Sequence, residues 1–218
     1  MFIGHYSAAL IAATQRDAPK LGVLFVAAQI IDIGFFGFVL SGIEAMRITP
    51  GTTVMNPMDL YHMPYTHSLF GALIWAAGFT LLLKLFGAHW RTGLIGGLVV
   101  ISHWFLDLAV HAPDLTLTGA PPKLGFGLWN YPLIEMPLEI GLTAAALWLY
   151  LRANPSTGRS FAVPALILFF AVVQSVNWFA PPRVFDVSVP ISGLLAYGVA
   201  ILLAVWVARG RHYGGETE

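Results

Sequence analysis

Cysteine is absent from the 218 residues, which removes disulfides, thiolate metal sites and cysteine nucleophiles together. Any metal held by this chain must therefore be bound through nitrogen and oxygen. Charge is scarce: Asp, Glu, Lys and Arg make up 10% of the sequence, against about 25% in a soluble domain. Eleven basic and eleven acidic side chains cancel, so no broad electropositive surface recommends nucleic acid as a partner. Internal repeats are lacking. So is a basic start ahead of the apolar opening Met1 to Gln15, and no cleavable signal peptide is expected.

What the chain has in abundance is apolar surface, 57% of its residues, and that surface comes in long runs. A spanning helix needs about 20 mostly apolar residues. Spans are predicted at Leu21 to Ser41, Thr66 to Phe86, Thr92 to His111, Tyr131 to Leu151, Phe161 to Ala180 and Val187 to Ala208. Pro and Gly punctuate the connections, as in Thr49-Pro50-Gly51, Gly119-Ala120-Pro121-Pro122, Asn154-Pro155-Ser156 and Pro181-Pro182-Arg183. The expectation is an all-α, polytopic transmembrane bundle of about six spanning helices forming a single domain over 1–218. Phe2 to Gln15 is too short to span and reads as a half-helix.

Basic residues in short loops set orientation. Arg16, Lys20, Lys84, Arg91, Arg152, Arg159, Arg209 and Arg211 fall at one end of the predicted bundle, and Arg47, Lys123 and Arg183 at the other. Eight against three places the first end and the C-terminus in the cytoplasm, with the chain integral to the cell (inner) membrane. The long connections Gly42 to Tyr65 and Ala112 to Asn130 then face outward.

Ionisable side chains inside a span cost roughly 2.5 to 3.5 kcal/mol each on insertion scales, so each needs a partner or a purpose. Here they cluster. His103, Asp107 and His111 stand at i, i+4 and i+8, stacked along one helical face. Asp32 lies mid-span at a depth similar to His103. His62 and His67 flank Pro64 at the mouth of the second long span, where a loop can converge both rings on one centre. Glu135 and Glu139 form another i, i+4 pair in the same outer half, and His5 joins them if the short first helix dips inward. His111 and Asp114 admit either a ligand or a hydrated-loop reading, while His89 and His212 read as surface residues and the aromatics as lipid-facing bulk. Imidazole and carboxylate ligands suit a divalent ion, zinc first, and more than four candidates leave room for more than one. A carboxylate beyond the ligands, Glu135 or Glu139, would act as acid or base.

Gly4-His5, Asp32 at the end of an apolar run, His62-x-Pro-Tyr-Thr-His67-Ser68 and Ser102-His103-x-x-x-Asp107 occur in an order that resembles the membrane-bound, metal-dependent hydrolases of the YdjM type. That family is grouped with the zinc-dependent phospholipase C and P1 nuclease superfamily. The resemblance covers about residues 4 to 115. It implies a helical zinc cluster that cleaves phosphodiesters, with His5, Asp32, His62, His67, His103 and Asp107 as metal-site residues. Two departures stand out: Ile33, Gly34 and Phe35 follow Asp32 where the family often has a further acid and His, and Pro64 replaces a common glycine.

The expected function is a membrane-embedded, metal-dependent, phospholipase-like hydrolase acting near the outer leaflet on a phosphoester of a lipid or lipid-linked substrate. Three alternatives share these residues: a divalent-cation or proton transporter, a ceramidase-like amide hydrolase, and a non-enzymatic membrane protein. Transport predicts a polar path onward to the cytoplasmic face, where the inner halves of the spans offer little beyond Gln29, Thr80, Gln174 and Asn177.

Overall fold

The computed structural model of the chain describes residues 1–156, 160–181 and 184–211; Arg159, Pro182, Arg183 and His212 lie outside the described residues. Seven helices run α1 (His5–Ala12), α2 (Leu21–Leu40), α3 (Leu69–Leu85), α4 (Trp90–Val110), α5 (Pro132–Ala153), α6 (Ala162–Phe179) and α7 (Ser188–Ala208). Five of them, α2, α4, α5, α6 and α7, are long and apolar enough to cross a membrane. The sixth expected span, α3, is apolar but 17 residues long. It starts later than its hydropathy suggests because Ser68 turns its hydroxyl back to accept from the Gly71 N–H at 3.0 Å, capping the helix there. Pro132 opens α5, where its missing N–H costs nothing. Gly42 and Gly87, just past α2 and α3, take the positive φ that lets each chain turn away.

The outer surface is what a bilayer solvates. Leu98, Phe105, Leu133, Leu168 and Leu202 are all more than half exposed, large apolar side chains turned outward from four different helices. Between helices, small residues permit close approach. A Cβ on Gly97 of α4 would stand 2.3 Å from Thr80 Oγ1 and 3.0 Å from the Ala76 carbonyl of α3.

Both long connections, expected as loops, form small antiparallel hairpins: β1 (Ala45–Ile48) with β2 (Met58–His62), and β3 (Leu115–Thr116) with β4 (Lys123–Leu124). They cap one end of the bundle. At the opposite end Arg91 pairs with Asp17 at 3.5 Å, Asn154 Nδ2 donates to the Ala13 carbonyl, and Arg211 donates to the Asn154 carbonyl. These contacts collect the described basic residues Arg16, Lys20, Arg91, Arg152 and Arg211 at that end. Helix α1 starts beside the polar centre and runs to this basic end, packed on α2, α4 and α5. Gln174 and Asn177 lie in the hairpin half of α6, because that helix runs from the basic end toward the hairpins; neither belongs to a path toward the basic end.

Candidate metal centre

Four segments deliver ligand atoms to two adjoining groups that share His103. His5 opens α1, Asp32 sits on α2, His67 immediately precedes α3, and His103 and Asp107 share the inner face of α4. Two trios have ligand atoms within 4.8 Å of one another: His5, His103 and Asp107, and Asp32, His67 and His103. Asp107 uses its two oxygens on different neighbours. Oδ1 lies 3.1 Å from His5 Nε2 and 3.2 Å from His111 Nε2, and Oδ2 lies 3.0 Å from His103 Nε2 and 3.7 Å from His67 Nε2. Asp32 Oδ1 stands 3.3 Å from His67 Nε2 and 3.4 Å from His103 Nε2. The Met1 amino group also reaches Asp107 Oδ1, at 3.2 Å.

The protons explain why these atoms suit a cation. His103 Nδ1 lies 2.8 Å from the Ala28 carbonyl, which can only accept, so Nδ1 carries the hydrogen. His103 Nε2 is buried and faces carboxylate oxygens of Asp32 and Asp107 at 3.4 and 3.0 Å. Two buried carboxylates need positive charge beside them, which protonated imidazoles or a bound cation can supply. The spacing agrees: two ligands about 2.0 to 2.2 Å from a tetrahedral centre lie about 3.3 to 3.6 Å apart, and the edges of the Asp32, His67 and His103 trio that include Asp32 measure 3.3 and 3.4 Å. This buried His/Asp group can hold a metal ion. The donor set of imidazoles and carboxylates is one that zinc or another borderline divalent ion accepts.

Other predicted residues fall differently. His62 is exposed on β2, paired in register with Ala45 of β1, and does not converge with His67; the strand carries its ring to the surface of the hairpin. Glu139 is buried and fully engaged: Oε1 accepts the Phe2 and Gly4 N–H groups at 2.7 and 2.9 Å, and Oε2 accepts Gln174 Nε2 at 2.7 Å. It anchors the segment that presents His5, so its lone pairs are already spent on positioning. Glu135 is buried beside it with neither oxygen hydrogen-bonded among the described residues, and neither acid lines the cleft at the cluster. His89 is exposed, as expected.

His111 belongs to the cluster rather than to a wet loop. It is buried, stacks on Trp129 with ring centroids 4.2 Å apart, and lies 2.9 Å from Asp114 through Nδ1. Burial opposes a charge on this residue, one position beyond the α4 span, yet the carboxylates of Asp107 and Asp114 outweigh it and raise the imidazole to about 9. The i+8 step from His103 is the pattern that signals it.

Residues with no such pattern complete the surroundings. Tyr197 of α7 donates its hydroxyl to Asp32 Oδ2 at 2.9 Å. Glu44, between α2 and β1, is 1% exposed and bonds the loop that carries His67. In sequence each looks ordinary, one a tyrosine in an apolar run and the other an acid just past a helix end. A cleft of about 60 Å³ leads to the cluster between Phe36, Asn56, Trp129 and Asn177. Asp32 is the cluster's open member, its side chain 18% exposed.

Fold and site together define a helical membrane bundle with a buried His/Asp group able to hold a metal ion at its hairpin end. Set against protein-family models, curated proteins and solved structures, the chain finds no match.

Proposed function

We propose that this chain is a membrane-embedded, metal-dependent hydrolase of the YdjM type that its motifs resemble, acting on a phosphoester of a lipid or lipid-linked substrate near the outer leaflet. The observation that supports the reading is the convergence of imidazole Nε2 atoms of separate segments on Asp32 and the divided carboxylate of Asp107. His5, Asp32, His67, His103 and Asp107 are the ligands in this reading, and His111 with Asp114 balances the charge of Asp107. A bound divalent ion, zinc first, supplies Lewis acidity and brings the pKa of its water toward 7.

The chain's own residues set what can enter. The cleft is narrow, about 60 Å³, so the small reacting end of a substrate enters it and its hydrocarbon stays in the bilayer. Asn56 and Asn177 at the mouth offer amide hydrogens to anionic oxygens. Asp32, open to the cleft and steadied by Tyr197, is the ligand that borders whatever enters there.

Transport is less well supported. Between the cluster and the basic end, Tyr6, Leu10, Leu21, Leu24 and Phe25 are all 0% exposed and pack into the core. A polar route stops there.

Two measurements test the reading. Detergent-purified protein should contain stoichiometric metal that is lost in His103→Ala and Asp107→Ala, and should release phosphorylated head groups from a panel of lipids only when loaded. Metal-free wild-type protein refutes the centre, and loaded protein inert on every phospholipid but active on N-acyl lipids transfers the assignment to amide hydrolysis.

A further inference from the structure

His67 is oriented through a side-chain chain that reaches back in sequence to Glu44. Glu44 Oε1 accepts the backbone N–H groups of Tyr65 and Thr66 at 2.8 and 3.0 Å. Its Oε2 accepts the Thr66 hydroxyl at 2.7 Å, and Thr66 Oγ1 lies 2.8 Å from His67 Nδ1. Thr66 has one proton. Once that proton goes to the carboxylate, the same oxygen can meet Nδ1 only as an acceptor, so Nδ1 must carry the hydrogen. The lone pair of His67 is thereby confined to Nε2, the atom facing Asp32 Oδ1 and Asp107 Oδ2.

His103 reaches the same state by donating Nδ1–H to a carbonyl, and His111 approaches Asp114 in the same way. What distinguishes His67 is that its acceptor is relayed. Glu44 and Thr66 are 1% and 0% exposed, and no cationic side chain among the described residues pairs with Glu44. A buried carboxylate without a cation is costly. Passing its polarity through a hydroxyl to an imidazole that binds a cation offsets part of that cost.

We infer that Glu44 and Thr66 form a carboxylate–hydroxyl–imidazole relay that sets the tautomer of His67 and so tunes the affinity of the metal centre. Both are positioning residues. The inference rests on the metal-centre reading for its effect on affinity, whereas the tautomer stands apart from it. The relay also joins the two helices it bridges, because Glu44 follows α2, which carries Asp32, and holds the loop before α3.

Glu44→Gln is the sharpest probe. Its amide oxygen can still accept from the loop, but its NH2 then donates to Thr66, whose hydroxyl turns to donate to His67 and drives the hydrogen onto Nε2. Zinc affinity, measured by chelator competition on the full detergent-purified chain, should fall about 10- to 100-fold in Glu44→Gln and in Thr66→Val, while Thr66→Ser stays near wild type. In metal-free protein carrying 15N-labelled imidazoles, His67, assigned with His67→Gln, should show hydrogen on Nδ1 in wild type and on Nε2 in Glu44→Gln. Wild-type affinity in both weakened variants together with an unchanged His67 tautomer overturns the relay. Failure of Thr66→Ser to restore affinity does so as well. If wild type binds no zinc, the metal-centre reading falls by itself and the nitrogen signals still decide the tautomer.

Discussion

Tyr197 and Glu139 show how differently two polar side chains can serve one centre. The Tyr197 hydroxyl holds the outer oxygen of Asp32 while the inner oxygen faces His67 and His103. Tyr197→Phe keeps the ring stacked near Phe2 and Phe36 and removes only that bond, so metal affinity should drop about 10-fold with the fold retained, as read by chelator competition. An unchanged affinity would mean Asp32 needs no support. Glu139 is an anchor for three donors. Glu139→Ala orphans them, and at about 1 to 3 kcal/mol for each buried donor the loss of stability should reach on the order of 3 kcal/mol, measured by chemical unfolding in detergent. Glu139→Gln should cost far less, since one oxygen still accepts from the backbone and Gln174 can turn its unpartnered Oε1 to the new amide. A stable Glu139→Gln protein that has lost hydrolysis would restore the acid–base role. At this scale the sequence was legible where chemistry repeats at helical spacing: His103, Asp107 and His111 announce a face. Tyr197 and Glu44 were not legible, because their meaning lies in contacts 165 and 22 residues away. His62 misled, since its proximity to His67 in sequence says nothing about a strand that turns one ring outward.

Elements were read well where hydropathy alone decides. The expected spans match α2 and α4 to α7 within a few residues, because a run of 18 or more apolar residues has few other uses. The hairpins were hidden by the Pro and Gly of their connections, which signal a turn without saying what the flanking residues pair with. Packing between elements turns on single atoms. Gly93 and Gly97 of α4 abut Thr80 of α3, whose hydroxyl also donates to the Gly93 carbonyl at 3.1 Å. Gly97→Val forces a Cβ toward Thr80 and the Ala76 backbone, so the helices must part, at about 1 to 3 kcal/mol. As His67 leads into α3 and His103 rides on α4, metal affinity should fall with stability. Gly78→Ala on the same helix pair meets nothing within 4 Å and should be neutral or slightly stabilising, which makes it the control. Equal unfolding midpoints for Gly97→Val and Gly78→Ala would show that α3 and α4 are not in close contact.

For the molecule as a whole, a cation bound at the centre would act as a clasp. The candidate ligands come from α1, α2, the loop before α3, and α4, so a cation bound there ties together segments that unfolding would separate, while α7 reaches it through Tyr197 and α6 bonds, through Gln174, to the Glu139 that anchors the segment of His5. A ligand that binds only the folded state stabilises it by mass action, by about 2.7 kcal/mol at a free concentration one hundred times its dissociation constant. Metal should therefore raise the unfolding midpoint of the detergent-solubilised protein, and a chelator should reverse the rise. The shift should vanish in Asp107→Ala, which faces both halves of the cluster. It should shrink without vanishing in His5→Ala, whose segment remains held by Glu139 and Gln29. His62→Ala, exposed on the hairpin, should retain the full shift. This ordering follows from where the atoms converge rather than from which residue types the chain contains: were His62→Ala to abolish the shift and Asp107→Ala to leave it intact, the cation would have to be bound at the hairpin and not among the helices.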